Sequence, residues 1–474
     1  MLDIVIRGGQ VVTPHGVGVW DVAVQGEQIA AVAAPGSLTE DTARVIDATG
    51  KIVVPGGIDP HMHCKWNIPT PGGGPVGYSA GPEVVSRAAL FGGTTTMIDF
   101  APWTAGMTIE QAIEERQQDW RGQCHTDYAL HVMLLGAIEP QVLDQIPDAI
   151  AAGYPSFKIF TTDITPSRRG RKVLFGDIWE VLQRTARHGG IAVIHAEDDD
   201  IVMHQYDKLI REGRTGFELM PEVHNSLSED LAFRRVIRLA EHIDGAALYM
   251  MHVSAATGVA AIAEARADGY PIYGETLHQY ALFTAEAYLR PNGQIYHTYP
   301  SLKRDEDCRA LWDGMKSGTI KTVATDGICT PLEVKIQGRR IDDTTGGNAG
   351  VEPRMGVIYT ESVVTRGYSL ERFVDLTSAN AARLLGLYPR KGAIAAGSDA
   401  DIVLIDPAPR GPLRKEELHE TDYSPWESWP IAGWPEMTLR RGKIVVENGQ
   451  LDSEPSEGKW LPRKVDSSVL SGPT

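Results

Sequence analysis

Between residues 51 and 325, eight short runs of almost wholly apolar, largely β-branched residues recur, at 51–58, 94–100, 128–135, 157–161, 191–195, 247–253, 270–275 and 319–325. Helical patterns rich in Ala, Leu, Glu and Arg separate them, at 82–91, 109–120, 177–188, 227–242, 258–268 and 305–317. A strand without polar residues on either face must be covered on both sides. That condition is met by a parallel sheet flanked by helices. Eight such units predict an α/β chain organised as a (β/α)8 TIM barrel.

The chain ends follow a different rule. Residues 1–51 hold short alternating strands broken by Gly and Pro, and the same pattern returns over 386–451. Both ends are expected to build one small β-sandwich beside a barrel spanning 52–385, with 452–474 as a polar tail that reaches another subunit or stays disordered. A length of 474 residues exceeds what one hydrophobic core usually supports, which agrees with two units.

The formal charge of −17 argues against nucleic acid or an anionic membrane surface as partner, since either needs clustered Lys and Arg. No apolar run reaches the roughly 20 residues of a membrane span. Met1–Arg7 lacks the basic and apolar parts of a secretion signal, so the cytoplasm is the expected location. Four scattered cysteines read as reduced thiols. Cys64 adjoins the histidine pair described next, but neighbours in a strand face opposite ways, so it reads as structural.

The chemistry sits at strand ends, where barrels of this kind carry their active sites. His61 and His63 follow the first run two apart, so both imidazoles face the same way. His195 closes the fifth run, His252 lies within the end of the sixth, and Asp326 follows the eighth. Lys158 stands in the apolar run Phe157-Lys158-Ile159-Phe160, where a free ammonium is costly. A single histidine of this kind is usually a satisfied core residue; four histidines and an aspartate at the same face of one barrel point to a metal centre. Asp99 and Glu275 read as hydrogen-bonding support for it, Asp198-Asp199-Asp200 as a helix start, and Trp426, Trp429 and Trp434 as packing or an intersubunit surface.

Pro55-Gly56-Gly57-Ile58-Asp59-Pro60-His61-Met62-His63, Gly92-Gly93-Thr94-Thr95, His195-Ala196-Glu197, His252-Val253-Ser254, Tyr273-Gly274-Glu275-Thr276 and Gly397-Ser398-Asp399-Ala400-Asp401 resemble the signposts of the dihydropyrimidinase/hydantoinase family of cyclic amidohydrolases. The resemblance covers nearly the whole chain. It implies two divalent metal ions per subunit, with zinc suited to the ligand set. His61, His63 and Asp326 would hold one, His195 and His252 the other, and Lys158, carboxylated by CO2, both. It further implies a homodimer or homotetramer and hydroxide attack on the carbonyl of a small cyclic amide, with Asp326 shuttling the proton.

Four departures bear on the substrate. The family tyrosine five residues after the lysine is here Asp163. The Asp-His-Cys-Pro after the eighth strand is Asp326-Gly327-Ile328-Cys329. The loop asparagine is displaced, with Gly346 at its place and Asn348 two positions on. The serine that reads the ring amide is missing from Thr298-Tyr299-Pro300-Ser301-Leu302. Asp163, Tyr299 and Asn348 are the candidates for substituted substrate contacts. Two rival readings keep the fold: a deaminase or a hydrolase of open-chain amides, ureides or carbamates, and a catalytically silent scaffold.

Overall fold

The computed structural model describes residues 1–39, 41–71 and 77–474. Eight parallel strands run in chain order around its centre: β1 (Gly57–Asp59), β2 (Thr94–Trp103), β3 (Asp127–Leu134), β4 (Ser156–Phe160), β5 (Ile191–His195), β6 (Leu248–Met250), β7 (Ile272–Leu277) and β8 (Ile320–Ala324). All their residues are buried except Pro102 and Lys321, as the apolar runs require. A parallel bridge between Met62 and Gly327 and the bond from His63 N to Gly327 O (2.9 Å) join the last strand to the first. Asp59 strengthens this seam by accepting from Thr325 Oγ1 at 2.6 Å. The helices Pro82–Phe91, Ile109–Trp120, Phe175–His188, Ser226–Ala240, Ala256–Ala267 and Asp305–Ser317 lie where the sequence predicts them, within two residues.

The first apolar run is not one strand. Ile52–Pro55 leaves the barrel for a seven-stranded sheet, and only Gly57–Asp59 enters the barrel wall. That sheet also takes Gln10–Thr13 and Gly16–Val19 from the N-terminal part and Ile402–Asp406, Trp434–Arg440, Lys443–Glu447 and Gln450–Leu451 from the C-terminal part. It packs on a four-stranded sheet of Leu2–Arg7, Asp21–Gln25, Gln28–Ala33 and Thr42–Asp47 around a core that includes Ile6, Val24, Val53, Ile402 and Leu439. Both chain ends therefore build the β-rich unit, as expected.

The tail departs from expectation. Instead of extending away, it crosses the N-terminal end of its own barrel. Trp460 bridges to Tyr128, Leu461 is fully buried, and Arg463 donates to Leu130 O and to Ser156 Oγ (2.7 Å). Its polar composition concealed this role, because the tail offers the barrel floor hydrogen bonds and two or three apolar anchors rather than a hydrophobic stripe. Beside it Lys391 Nζ sits 2.7 Å from Asp127 and from Asp401 and 3.1 Å from Asp399, while Arg441 also binds Asp127. This buried network ties the barrel to the β-rich unit.

Candidate metal centre

The strand ends bring all six predicted ligands to one mouth, and each is buried. His61 Nε2 and His63 Nε2 lie 3.0 and 3.1 Å from Asp326 Oδ1. Ligand atoms of these three side chains fall within 4.8 Å of one another. The His61 and His252 rings are 5.4 Å apart, and those of His252 and His195 are 4.5 Å apart. Lys158 and the four histidines line the same cavity. The backbone is strained at two of these positions: His252 and Asp326 adopt φ of 40° and 49°, a left-handed region that β-carbon-bearing residues avoid.

Carboxylates behind the ring nitrogens set which nitrogen faces the centre. Glu275 Oε1 bonds His61 Nδ1 at 2.8 Å, leaving Nε2 inward, and Tyr249 donates to the other Glu275 oxygen at 2.9 Å. Glu197 Oε2 bonds His195 Nε2 at 2.9 Å, which leaves Nδ1 for the centre; its other oxygen meets His224 Nδ1 at 2.8 Å. Thr298 Oγ1 donates to Asp326 Oδ2 at 2.5 Å. Such outer partners orient metal-binding imidazoles. The sequence reading assigned no role to Glu197 or His224, although Glu197 follows His195 at the period-two spacing that flagged His61 and His63.

Burial dominates the electrostatics. It pushes Lys158 down to about 7 although Asp326 and Glu275 pull the other way. Among the described residues no carboxylate comes within 4.0 Å of its Nζ, which meets Met251 Sδ at 2.8 Å instead. Burial also lowers His63 to about 3, His195 to about 4, and His252 well below the usual range. For His61 burial is outweighed by Asp326 and Glu275, which raise it to about 9. Asp326 resists the upward push of burial because His61 and His63 hold it far below the ordinary carboxylate range. His63, His195 and His252 are thus held as neutral imidazoles, Asp326 as a carboxylate, and Lys158 gives up its proton near pH 7, while His61 keeps its proton between Asp326 and Glu275 until a cation displaces it.

Above these groups opens a cavity of about 320 Å³ with an apolar wall that includes Trp66, Met133, Phe160 and Ile164. Of the three candidate substrate contacts only Tyr299 lines it. Asp163 turns away: its Oδ1 accepts from the backbone N–H groups of Gly170, Arg171 and Lys172 at 3.0, 2.8 and 2.9 Å. Asn348 lies behind the wall, bridged through its backbone to Gly327 and facing Gln279 Nε2 at 3.5 Å. Both glycine departures sit close to a neighbouring side chain, a flexible one at Gly327 and a rigid ring at Gly346. A β-carbon at Gly327 would lie 2.6 Å from Met62 Sδ, and one at Gly346 would lie 2.5 Å from the Tyr299 ring. The sequence reading also missed Arg168 and Arg171, which line the cavity. Their signal was the basic run Arg168-Arg169-Gly170-Arg171-Lys172 in an otherwise acidic chain.

The amidohydrolase family profile matches residues 177–445. A D-hydantoinase of Streptomyces coelicolor is 34% identical over 471 residues, 97% of each chain. A D-hydantoinase of Geobacillus stearothermophilus is 33% identical over 98% of each. The crystal structure of a dihydropyrimidinase from Brevibacillus agri superposes with a TM-score of 0.91 at 32% identity, covering 98% of this chain and 99% of that one. An L-hydantoinase (dihydropyrimidinase) from Arthrobacter aurescens gives 0.85 at 26% identity, covering 98% and 100%.

Proposed function

The chain belongs to the hydantoinase family of the amidohydrolases, and from that premise we propose that it is a metal-dependent hydrolase opening a small cyclic amide of the hydantoin or dihydropyrimidine type. The observation that carries the reading is Lys158: a buried amine with no carboxylate within 4.0 Å among the described residues, at the wall of a cavity ringed by His61, His63, His195, His252 and Asp326. Reaction of its neutral amine with CO2 releases one proton and exchanges a buried cation for a carbamate anion with two ligand oxygens. His61, His63 and Asp326 would then hold one divalent cation, His195 and His252 a second, and the Lys158 carbamate both. When bound, such cations, zinc being one the nitrogen-rich set suits, polarise a ring carbonyl and make water nucleophilic near neutral pH.

The remaining work belongs to the chain. Asp326, ionised and steadied by Thr298, takes the proton of the attacking water and returns it to the departing ring nitrogen. Tyr299 lines the cavity beside the reacting groups, with its hydroxyl donating to Thr344 O at 3.4 Å, and the apolar wall limits access of bulk water. The bridging role of Lys158 disfavours a one-metal deaminase, and the convergence of all six side chains disfavours a silent scaffold. No helix among the described residues is long and apolar enough to cross a membrane. A cytoplasmic homodimer or homotetramer is the assembly proposed, which light scattering on the purified protein would measure.

The test is turnover by metal-loaded protein across hydantoins, dihydrouracils, cyclic imides and linear ureides, beside Asp326→Asn. Ring opening by the wild type is expected, with a loss on the order of 10³-fold or more in the variant while elemental analysis finds the metal retained. Undiminished turnover in Asp326→Asn would remove its assigned role, and turnover of linear ureides alone would move the enzyme out of the cyclic class.

A further inference from the structure

We infer that Arg168 and Arg171 form an anion-recognition site at the rim of the cavity, so that the cyclic substrate carries a carboxylate on its ring substituent. The inference rests on the cyclic-amide reading above and specifies its substrate class.

Both arginines lie on the loop that follows β4, and this loop is held in place from within. Asp163 Oδ1 gathers three of its N–H groups, and Gly136 N donates to Arg171 O at 3.1 Å. Asp199 accepts from Asp163 N at 2.9 Å through one oxygen and from Lys172 Nζ at 2.9 Å through the other. The acidic side chains that brace the loop are therefore already engaged. Across the cavity Asp342 is taken by Arg340 at 2.8 and 3.0 Å, and Asp343 accepts from Arg340 N at 2.7 Å.

Arg168 and Arg171 are what remains. Among the described residues neither guanidinium has a carboxylate within 4.0 Å, although the chain as a whole carries a charge of −17. Arg168 lies over the Tyr299 ring at 5.3 Å, which presents its planar face in one orientation. Burial and the neighbouring Arg168 depress Arg171 to about 9, and Asp163, whose oxygen is spent on the loop's N–H groups, offsets them only in part. A fork of fixed N–H donors suits a carboxylate better than any neutral group.

The pair of substrates that decides the matter is carboxyethyl hydantoin and its carbamoylethyl counterpart, equal in size and different in charge. Wild-type enzyme, metal-loaded, should favour the carboxylate by roughly 10-fold or more in kcat/KM, the size of one charge-assisted hydrogen bond or more. That preference should weaken as salt is added. In Arg168→Gln and Arg171→Gln the ratio between the two substrates should collapse toward one, chiefly through KM. A wild type that favours the amide, or variants that lose both substrates in equal proportion, would overturn the anion site and leave the ring-opening reaction standing.

A binding arm separates the two readings further. Calorimetric titration with the ring-opened compounds N-carbamoylglutamate and N-carbamoylglutamine needs no turnover. If neither ring is opened yet the glutamate derivative binds more tightly in an Arg171-dependent way, the anion site holds and the reaction reading falls. Equal binding of the two overturns the anion site.

Discussion

The two ends of the barrel both bury charge, and they treat it in opposite ways. At the floor Lys391 is enclosed by Asp127, Asp399 and Asp401, and Arg441 answers Asp127 a second time. Those charges satisfy one another and serve to dock the β-rich unit. At the mouth, among the described residues, Lys158 has no carboxylate within 4.0 Å, and Arg168 and Arg171 line the cavity without one. Paired burial is structure; unpaired burial leaves free energy to be released when a cation, CO2 or a charged substrate arrives.

The comparison breaks most visibly at Lys391. Lys391→Met leaves buried carboxylates uncompensated, and urea denaturation should show a loss of about 3–5 kcal/mol. A loss below about 1 kcal/mol, the size of an exposed pair, would mean the floor network contributes little. The same substitution at the mouth should act in the other direction. Lys158→Met should stabilise metal-free protein by about 1–4 kcal/mol, since it removes a lone buried cation, while elemental analysis finds less metal.

That gain has a defined pH window. The folded pKa of Lys158, about 7, lies below its ordinary value of 10.5. Burying the amine is therefore penalised in full below pH 7, and the penalty fades as pH rises toward 10.5. The stability difference between variant and wild type should shrink across that range; a difference constant with pH would trace to packing alone. The smallest effect is expected at Asp163. Asp163→Ala frees the Arg168–Arg171 loop and should raise KM by about 3- to 10-fold through the loss of backbone hydrogen bonds, with kcat changing less. A fall in kcat as large as the rise in KM would put Asp163 in the chemistry rather than in the scaffold of the loop.

Legibility followed the reach of each interaction. His195 ends a strand whose character is written in five consecutive residues, and the C-terminal face of a parallel barrel is where strand ends meet. The positions of the candidate ligands could therefore be read without knowing any loop. The split of residues 51–58 was not readable, because Ile52–Pro55 is as apolar as a barrel strand and differs only in pairing with Ile402–Asp406. The place of Asp163 five residues after Lys158 points to a substrate contact. Its real partners are N–H groups seven to nine residues on, and those are reached only after the loop has turned.

By itself the sequence determined the barrel, the β-rich unit built from both ends, the four histidines and Asp326 at strand ends, and Lys158 inside an apolar strand. Periodicity and the direction of the strands are local properties that one chain carries openly. Only the tertiary structure decided that the tail seals the floor, that Asp163 braces a loop, and that Arg168 and Arg171 face the cavity unpaired. Each of these depends on which distant groups consume one another's hydrogen bonds and charges, and that balance exists only once the chain has closed on itself.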